Sequence, residues 1–230
     1  LSTGHHLDEN WTQLTNGVSE CPDNTDLIVL PEVCHFRSTS SSVSVQDYAQ
    51  PIDGVFVSNI QQLAKEKSTA IVIGSFIEFE SENVYNTSVF IDENGDILGV
   101  YRKMHLFDVM VDGQSIQESK TFTSGHSPTI IKWKGWVFGL SICYDLRFPE
   151  LYRYYMDHRV DVILVPSSFT LNTGKRHWHT LCRARAIENT VYILAPNQTG
   201  IGASAVRCYG HSIIVDFNGQ ILAEASQDDC

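Results

Sequence analysis

Cys143 stands where a strand-like run, Gly135-Trp-Val-Phe-Gly-Leu-Ser-Ile142, meets a segment that opens as a helix at Phe148-Pro149-Glu150. A thiol at such a corner sits near the carboxyl edge of a sheet, where α/β proteins place reactive groups. It also faces the amide end of the coming helix, whose partial positive charge favours a thiolate. The chemistry this allows is attack on an electrophilic carbon through a covalent intermediate. An ordinary thiol, with a pKa of about 8.5, is mostly protonated at neutral pH, so a partner must take its proton. Histidine is the usual partner, but none of His105, His126, His177, His179 and His211 has a spacing that singles it out, and His177 and His179 read as surface or packing residues. The run Asp26-Leu-Ile-Val-Leu-Pro31 instead delivers Glu32, and Tyr101-Arg102-Lys103 ends a strand in an ammonium. Glu118 reads as a loop carboxylate. The residues alone leave other roles open: a buried structural cysteine, a glutamate capping a turn, and a solvent-facing lysine.

The elements that must position these groups come from a chain of 230 residues, long enough for one large domain or two small ones. Sixteen Lys plus Arg against 27 Asp plus Glu leave a net charge of -11 and no basic run, which argues against a nucleic-acid or anionic-membrane surface. The apolar stretches are strand-sized, so no membrane span is expected. Cys21, Cys34, Cys182, Cys208 and Cys230 lack the corner context of Cys143 and are expected to be inert. With no CxxC pair, neither a disulfide scaffold nor a thiolate metal site is expected. Unpaired cysteines and the lack of a targeting sequence point to a cytoplasmic protein. N-x-S/T matches begin at Asn10, Asn86 and Asn197, a pattern short enough to arise by chance.

Trp11, Leu14 and Val18 predict an N-terminal helix, and Val55, Ile60, Leu63 and Ala64 predict another over 54–67. Ala70-Ile-Val-Ile-Gly74 reads as a buried strand, and 84–91 with 96–102 as a hairpin around Asn94-Gly95. The second half repeats this pattern. Asp161-Val-Ile-Leu-Val-Pro166 matches Asp26 to Pro31, a helix is expected over 175–189, and Val191-Tyr-Ile-Leu-Ala195 is a strand. Ser212 to Leu222 can be laid over Ser88 to Leu98, with Ser, Asp, Asn, Gly, Ile and Leu coinciding. Two copies of strand, helix, strand and hairpin suggest two sheets, each covered by helices on one face, packed as a four-layer α-β-β-α sandwich.

The segments Leu30-Pro-Glu32, Tyr101-Arg-Lys-Met-His-Leu-Phe-Asp108 and Cys143-Tyr-Asp-Leu-Arg-Phe-Pro-Glu150 resemble the three signature segments of the nitrilase superfamily of carbon–nitrogen hydrolases. Pro166-Ser-Ser-Phe-Thr170, Thr173-Gly-Lys-Arg-His-Trp178, Arg183-Ala-Arg-Ala-Ile-Glu-Asn189 and Tyr209-Gly-His-Ser-Ile-Ile-Val-Asp216 extend the resemblance, in order, over nearly the whole chain. The resemblance implies an α-β-β-α fold of two pseudo-repeated halves and a Glu–Lys–Cys triad of Glu32, Lys103 and Cys143, with Glu118 as a second active-site glutamate. The longer segments look most like the Nit branch, whose members hydrolyse small carboxylate-bearing amides, as omega-amidases and deaminated-glutathione amidases do. No metal or organic cofactor is implied, and the expected partners are a small amide and a second copy of the chain. A homodimer or larger assembly would pair through helices such as 149–157, with Leu151, Tyr152, Tyr154 and Tyr155, for which packing within the chain is the other role.

A carboxylate-bearing substrate needs a local cation, and Arg147, Lys175, Arg176 and Arg183 are candidates. Tyr144, Phe169 and Trp178 are expected to line the pocket, with core packing as the other role for each. His179 follows Trp178 where the branch usually has Glu. Family members also carry a further strand before this region and more chain after it, so residues 1–230 are expected to be a single domain incomplete at both ends. A nitrilase, an N-carbamoyl amino acid hydrolase and a non-catalytic structural homologue are the alternatives.

Overall fold

Helix α1 (Leu7–Glu20) turns Asn10, Leu14 and Val18 inward, one turn apart, and leaves Trp11 at the edge of the buried stripe. These positions come from a computed structural model that describes residues 1–37, 44–111, 114–201 and 207–226, so Cys230 lies outside the described residues. Strand β1 (Leu27–Val29) follows, and then helix α2 (Val55–Lys67), which buries Phe56, Val57, Ile60 and Ala64. Val55, expected on that apolar face, is instead 70% exposed. At about 100° per residue it points roughly 200° away from Val57. Strands β2 (Ala70–Glu80), β3 (Asn83–Ile91) and β4 (Ile97–Arg102) form an antiparallel meander, and β1 joins β2 in parallel. The β3–β4 turn sits at the expected Asn94-Gly95, with Gly95 at φ +77°. Asp92 Oδ1 closes it by accepting from the Asn94 and Asp96 amides at 2.9 and 2.8 Å.

The second half opens with a small hairpin that the sequence pattern does not announce, β5 (Asp108–Val111) with β6 (Gln114–Gln117). Then come β7 (Ile130–Trp133), β8 (Trp136–Leu140), α3 (Pro149–Asp157), β9 (Val162–Leu164), α4 (Leu171–Asn189), β10 (Tyr192–Ala195), β11 (Ile213–Val215) and β12 (Ile221–Glu224). They build a six-stranded sheet in the order β12-β11-β10-β9-β8-β7. Helix α4 begins four residues before the expected 175, because the Thr170 side chain accepts from the Thr173 amide and caps the first turn. Leu171-Asn-Thr-Gly174 reads locally as loop, which hides that turn.

The repeat in the sequence is a repeat in strand pairing. β1–β2 and β9–β10 are parallel, and each is followed by two antiparallel pairings. Period-two alternation on β2 shows how the layers form. Ala70 and Val72 join the core between the sheets, whereas Ile71 and Ile73 face α1 and α2. Phe90 and Tyr101 of the first sheet meet Phe138 and Leu140 of the second, with the Phe90 and Phe138 rings 5.4 Å apart edge to face. Leu151, Tyr152 and Tyr155 of α3 are buried within the chain, and only Tyr154 of that aromatic set is exposed. The result is the expected α-β-β-α sandwich. Among the described residues, no helix is long and apolar enough to cross a membrane.

Candidate active site

The Glu32 segment is fixed through its backbone by contacts from both halves of the chain. The Leu30 amide still bonds the Val72 carbonyl at 2.9 Å, and Pro31 then ends the pairing. Strand β2 passes so close at Gly74 that a Cβ there would lie 1.9 Å from the Leu30 carbonyl oxygen. Val33, next to the carboxylate, holds a left-handed φ of 52° that a β-branched residue rarely adopts, and its amide donates to Ser75 Oγ at 2.7 Å. From the second half, Gln198 Nε2 donates to the Glu32 carbonyl at 2.8 Å.

Lys103 leaves the end of β4 with its amide on the Asn86 carbonyl and its own carbonyl on the Gly125 amide. Its side chain is 2% exposed, so the solvent-facing alternative is not met. The ammonium donates to Glu32 Oε1 at 2.8 Å and to Glu118 Oε2 and Oε1 at 2.9 and 3.1 Å. Glu118 opens a short turn directly after β6 and also accepts the Phe107 amide at 2.6 Å. Asn86 uses its Nδ2 on both carboxylates, at 3.1 Å to Glu32 and 3.0 Å to Glu118. This residue, which the sequence offers only as an N-x-S/T match, is a buried tie between the two acids. Asn10 and Asn197, the other two matches, are also buried and hydrogen-bonded.

Cys143 follows Ile142 at a left-handed φ of 48°, with its amide on the Pro166 carbonyl at 2.9 Å. Buried Asp145 locks the corner: its carboxylate accepts from the Ile142 and His105 amides, from Tyr101 Oη at 2.7 Å, and meets His105 Nδ1 at 2.7 Å. A tight turn over Cys143–Arg147 separates the thiol from α3, which starts only at Pro149. The helix amide end expected beside the thiol is therefore replaced by this turn. Burial pushes the Cys143 thiol well above its ordinary value, and the Glu32 charge adds to this. Lys103 and the Ser168 amide pull the other way without reversing it. For Lys103, burial opposes the charge, but Glu118 and Glu32 outweigh it and hold the ammonium well above the usual range. Glu118 shows the reciprocal effect: burial raises it, while Lys103 and the Phe107 amide bring the net shift below the ordinary carboxylate value.

Glu32, Lys103, Glu118 and Cys143 share one cavity of about 700 Å³. Tyr144, Arg147 and Phe169 line it too, with the Arg147 guanidinium over both rings at 5.7 and 5.8 Å and bonded to His177 Nδ1 at 3.0 Å. Trp178 does not line the cavity. It is fully buried behind Phe169, its indole N–H on the His211 carbonyl at 2.7 Å, because its helix face turns into the core. Lys175 and Arg176 are exposed away from the cavity, and Arg183 Nε is committed to the Gly219 carbonyl. A further cation, Arg37, lines the cavity and donates to Ser168 Oγ at 2.7 Å and Cys208 Sγ at 3.0 Å. Its local sequence gives no signal, since its partners lie far along the chain. No histidine lines the cavity among the described residues. Elsewhere, burial pushes Cys34 up to about 12 and Cys182 further in the same direction, as expected of unreactive thiols.

The family model for carbon-nitrogen hydrolases matches residues 6–229. A deaminated glutathione amidase of Synechocystis is 39% identical, covering 93% of this chain and 83% of the relative. An omega-amidase of Saccharomyces cerevisiae is 36% identical over 97% of this chain and 78% of its own length. The crystal structure of Saccharomyces cerevisiae Nit3, described as a member of branch 10 of the nitrilase superfamily, superposes with a TM-score of 0.88 at 30% identity, covering 100% of this chain and 84% of that one. An amidase from Nesterenkonia sp. AN1, with acrylamide added to its active-site cysteine, has a TM-score of 0.83 at 25% identity, over 100% of this chain and 88% of that one. With these segments, this sandwich and this cavity, the chain belongs to the carbon–nitrogen hydrolase family.

Proposed function

We propose that the protein hydrolyses a small carboxylate-bearing amide to the acid and ammonia through a thioester on Cys143. The observation that carries this is the Lys103 ammonium held between Glu32 and Glu118 at 2.8 and 2.9 Å, in one cavity with Cys143, Arg37 and Arg147. Glu32 takes the proton of Cys143 as sulphur attacks the amide carbon. Lys103 Nζ and, as the family resemblance implies, the Tyr144 backbone N–H take the oxyanion; the Cys143 amide is held by the Pro166 carbonyl. Glu32 then passes its proton to the departing nitrogen as the C–N bond breaks, leaving the acyl group on sulphur. Water activated by the same carboxylate cleaves the thioester and restores the thiol. Glu118 keeps Lys103 charged and aimed, and the two guanidinium groups balance the substrate carboxylate.

The Nit-type relatives named above favour an omega-amidase or a deaminated-glutathione amidase over a nitrilase or carbamoylase. Ammonia release from α-ketoglutaramate and from deaminated glutathione, set against nitriles and N-carbamoyl amino acids, tests this. The expected result is turnover of an amide that disappears in Cys143→Ala; turnover of only the nitrile or carbamoyl panel overturns the reading. We extend the proposal to a cytoplasmic homodimer, supported by five unpaired cysteines among the described residues and by exposed Tyr154 and Ile187 on α3 and α4. Sedimentation at micromolar concentration tests the assembly.

A further inference from the structure

Outside the catalytic cavity, metal-ligating side chains from α4 and from the β11–β12 hairpin converge near the β12 edge of the second sheet. His179 projects from α4, His211 lies in the segment that leads into β11, and Glu224 ends β12. One ligand atom from each lies within 4.8 Å of the other two. Glu224 Oε1 meets His179 Nε2 at 2.9 Å and His211 Nδ1 at 2.7 Å. The backbone beneath them is held firmly. The His211 carbonyl accepts the indole N–H of Trp178, the residue before His179, at 2.7 Å, and His211 keeps a left-handed φ of 56°. The Tyr209 ring packs 4.4 Å from His211 and closes over Gly174 of α4, where a Cβ would lie 2.2 Å from the ring.

We propose that His179 Nε2, His211 Nδ1 and the Glu224 carboxylate form a binding site for a divalent transition metal, with zinc the best match. Two imidazoles and one carboxylate are a donor set that zinc accepts, with water in the fourth position. Tetrahedral zinc, with bonds of about 2.0–2.1 Å, places its ligands roughly 3.3 Å apart. The two short contacts must open by about half an ångström and the histidines draw together, which side chains 26–33% exposed are free to do. The ring protons now directed at Glu224 move through solvent to His179 Nδ1 and His211 Nε2, so both imidazoles bind neutral and the carboxylate supplies the charge. The bound ion would clip α4 to the edge strand β12. None of the three residues lines the catalytic cavity, so the expected effect is on stability, separate from amide turnover.

The test is zinc titration of the chelator-stripped protein against a chromophoric chelator, with the unfolding temperature measured in parallel. The expected result is one zinc per chain and a raised unfolding temperature, with affinity at least tenfold weaker in His179→Ala and in Glu224→Gln but retained in Cys143→Ala. Circular dichroism of the metal-free variants checks that they fold. Zinc-edge X-ray absorption of the wild type gives a second readout that needs no variant: nitrogen and oxygen ligands including imidazole, with no sulphur. Zinc binding that survives both substitutions, that vanishes in Cys143→Ala, or that is no tighter than the chelator can detect would overturn the site and leave a hydrogen-bonded His–Glu–His cluster.

Discussion

Glu32 affects Cys143 in two opposing ways, and this gives the residue-scale account its sharpest consequence. As a charge it helps hold the thiol proton on, and as the proposed base it must remove that proton during attack. Glu32→Gln therefore lowers the pKa of Cys143, moving the pH profile of its alkylation by iodoacetamide downward, while amide turnover falls by about 10²–10⁴-fold. A profile that moves upward, or turnover that survives, contradicts the assignment. Asp145 acts by shape. Its carboxylate serves four donors at the nucleophile corner, so Asp145→Asn turns an amide N–H toward other N–H groups and is expected to cost about 3 kcal/mol in urea unfolding. Glu32, Lys103 and Cys143 were legible in the sequence because each closes a strand within a recognisable segment. Arg37, Asn86 and Asp145 were not, because their roles are set by partners that only folding brings near. The short turn over Cys143–Arg147, which stands between the thiol and α3, was hidden for the same reason.

At the scale of elements, the site depends on how closely β1 and β2 approach. Gly74→Ala puts a methyl group into the Leu30 carbonyl and must push the Glu32 segment away. The expected loss is about 3 kcal/mol of stability, together with a drop in amide turnover, read from urea midpoints and ammonia release. Behind the same segment, His35 is held near pKa 4 by burial; Gln50 meets its Nε2 at 3.3 Å, and its Nδ1 has no partner among the described residues. The folded pKa lies below the unfolded value of about 6.5, so the unfolded chain binds the extra proton first as pH falls. Stability from this residue is therefore complete above about pH 6.5 and declines towards pH 4, by about 3 kcal/mol in all. The wild-type profile should be steeper across that window than the His35→Gln profile. The long strands and helices could be read from periodicity, since one face of each meets a continuous core. The β5–β6 hairpin and the first turn of α4 could not, because polar residues and a single cap define them.

For the whole molecule, duplication explains why the proposed catalytic groups meet. Glu32 and Lys103 come from the first sheet and Cys143 from the second, and the sheets are held face to face by Phe90, Tyr101, Phe138 and their neighbours. The two halves were legible because proline-stopped strands and Asn-Gly hairpins recur in order. The cavity was less so, since Trp178 and the cationic side chains of α4 turn away from it while Arg37 enters from the first half. An acyl group carried on sulphur is the claim on which all three scales converge. Hydroxylamine added during turnover of α-ketoglutaramate tests it directly, because the amine intercepts a thioester as a hydroxamate. A thioester on Cys143 gives hydroxamate alongside ammonia in the wild type and neither product in Cys143→Ala. Ammonia release that continues without Cys143 would contradict it.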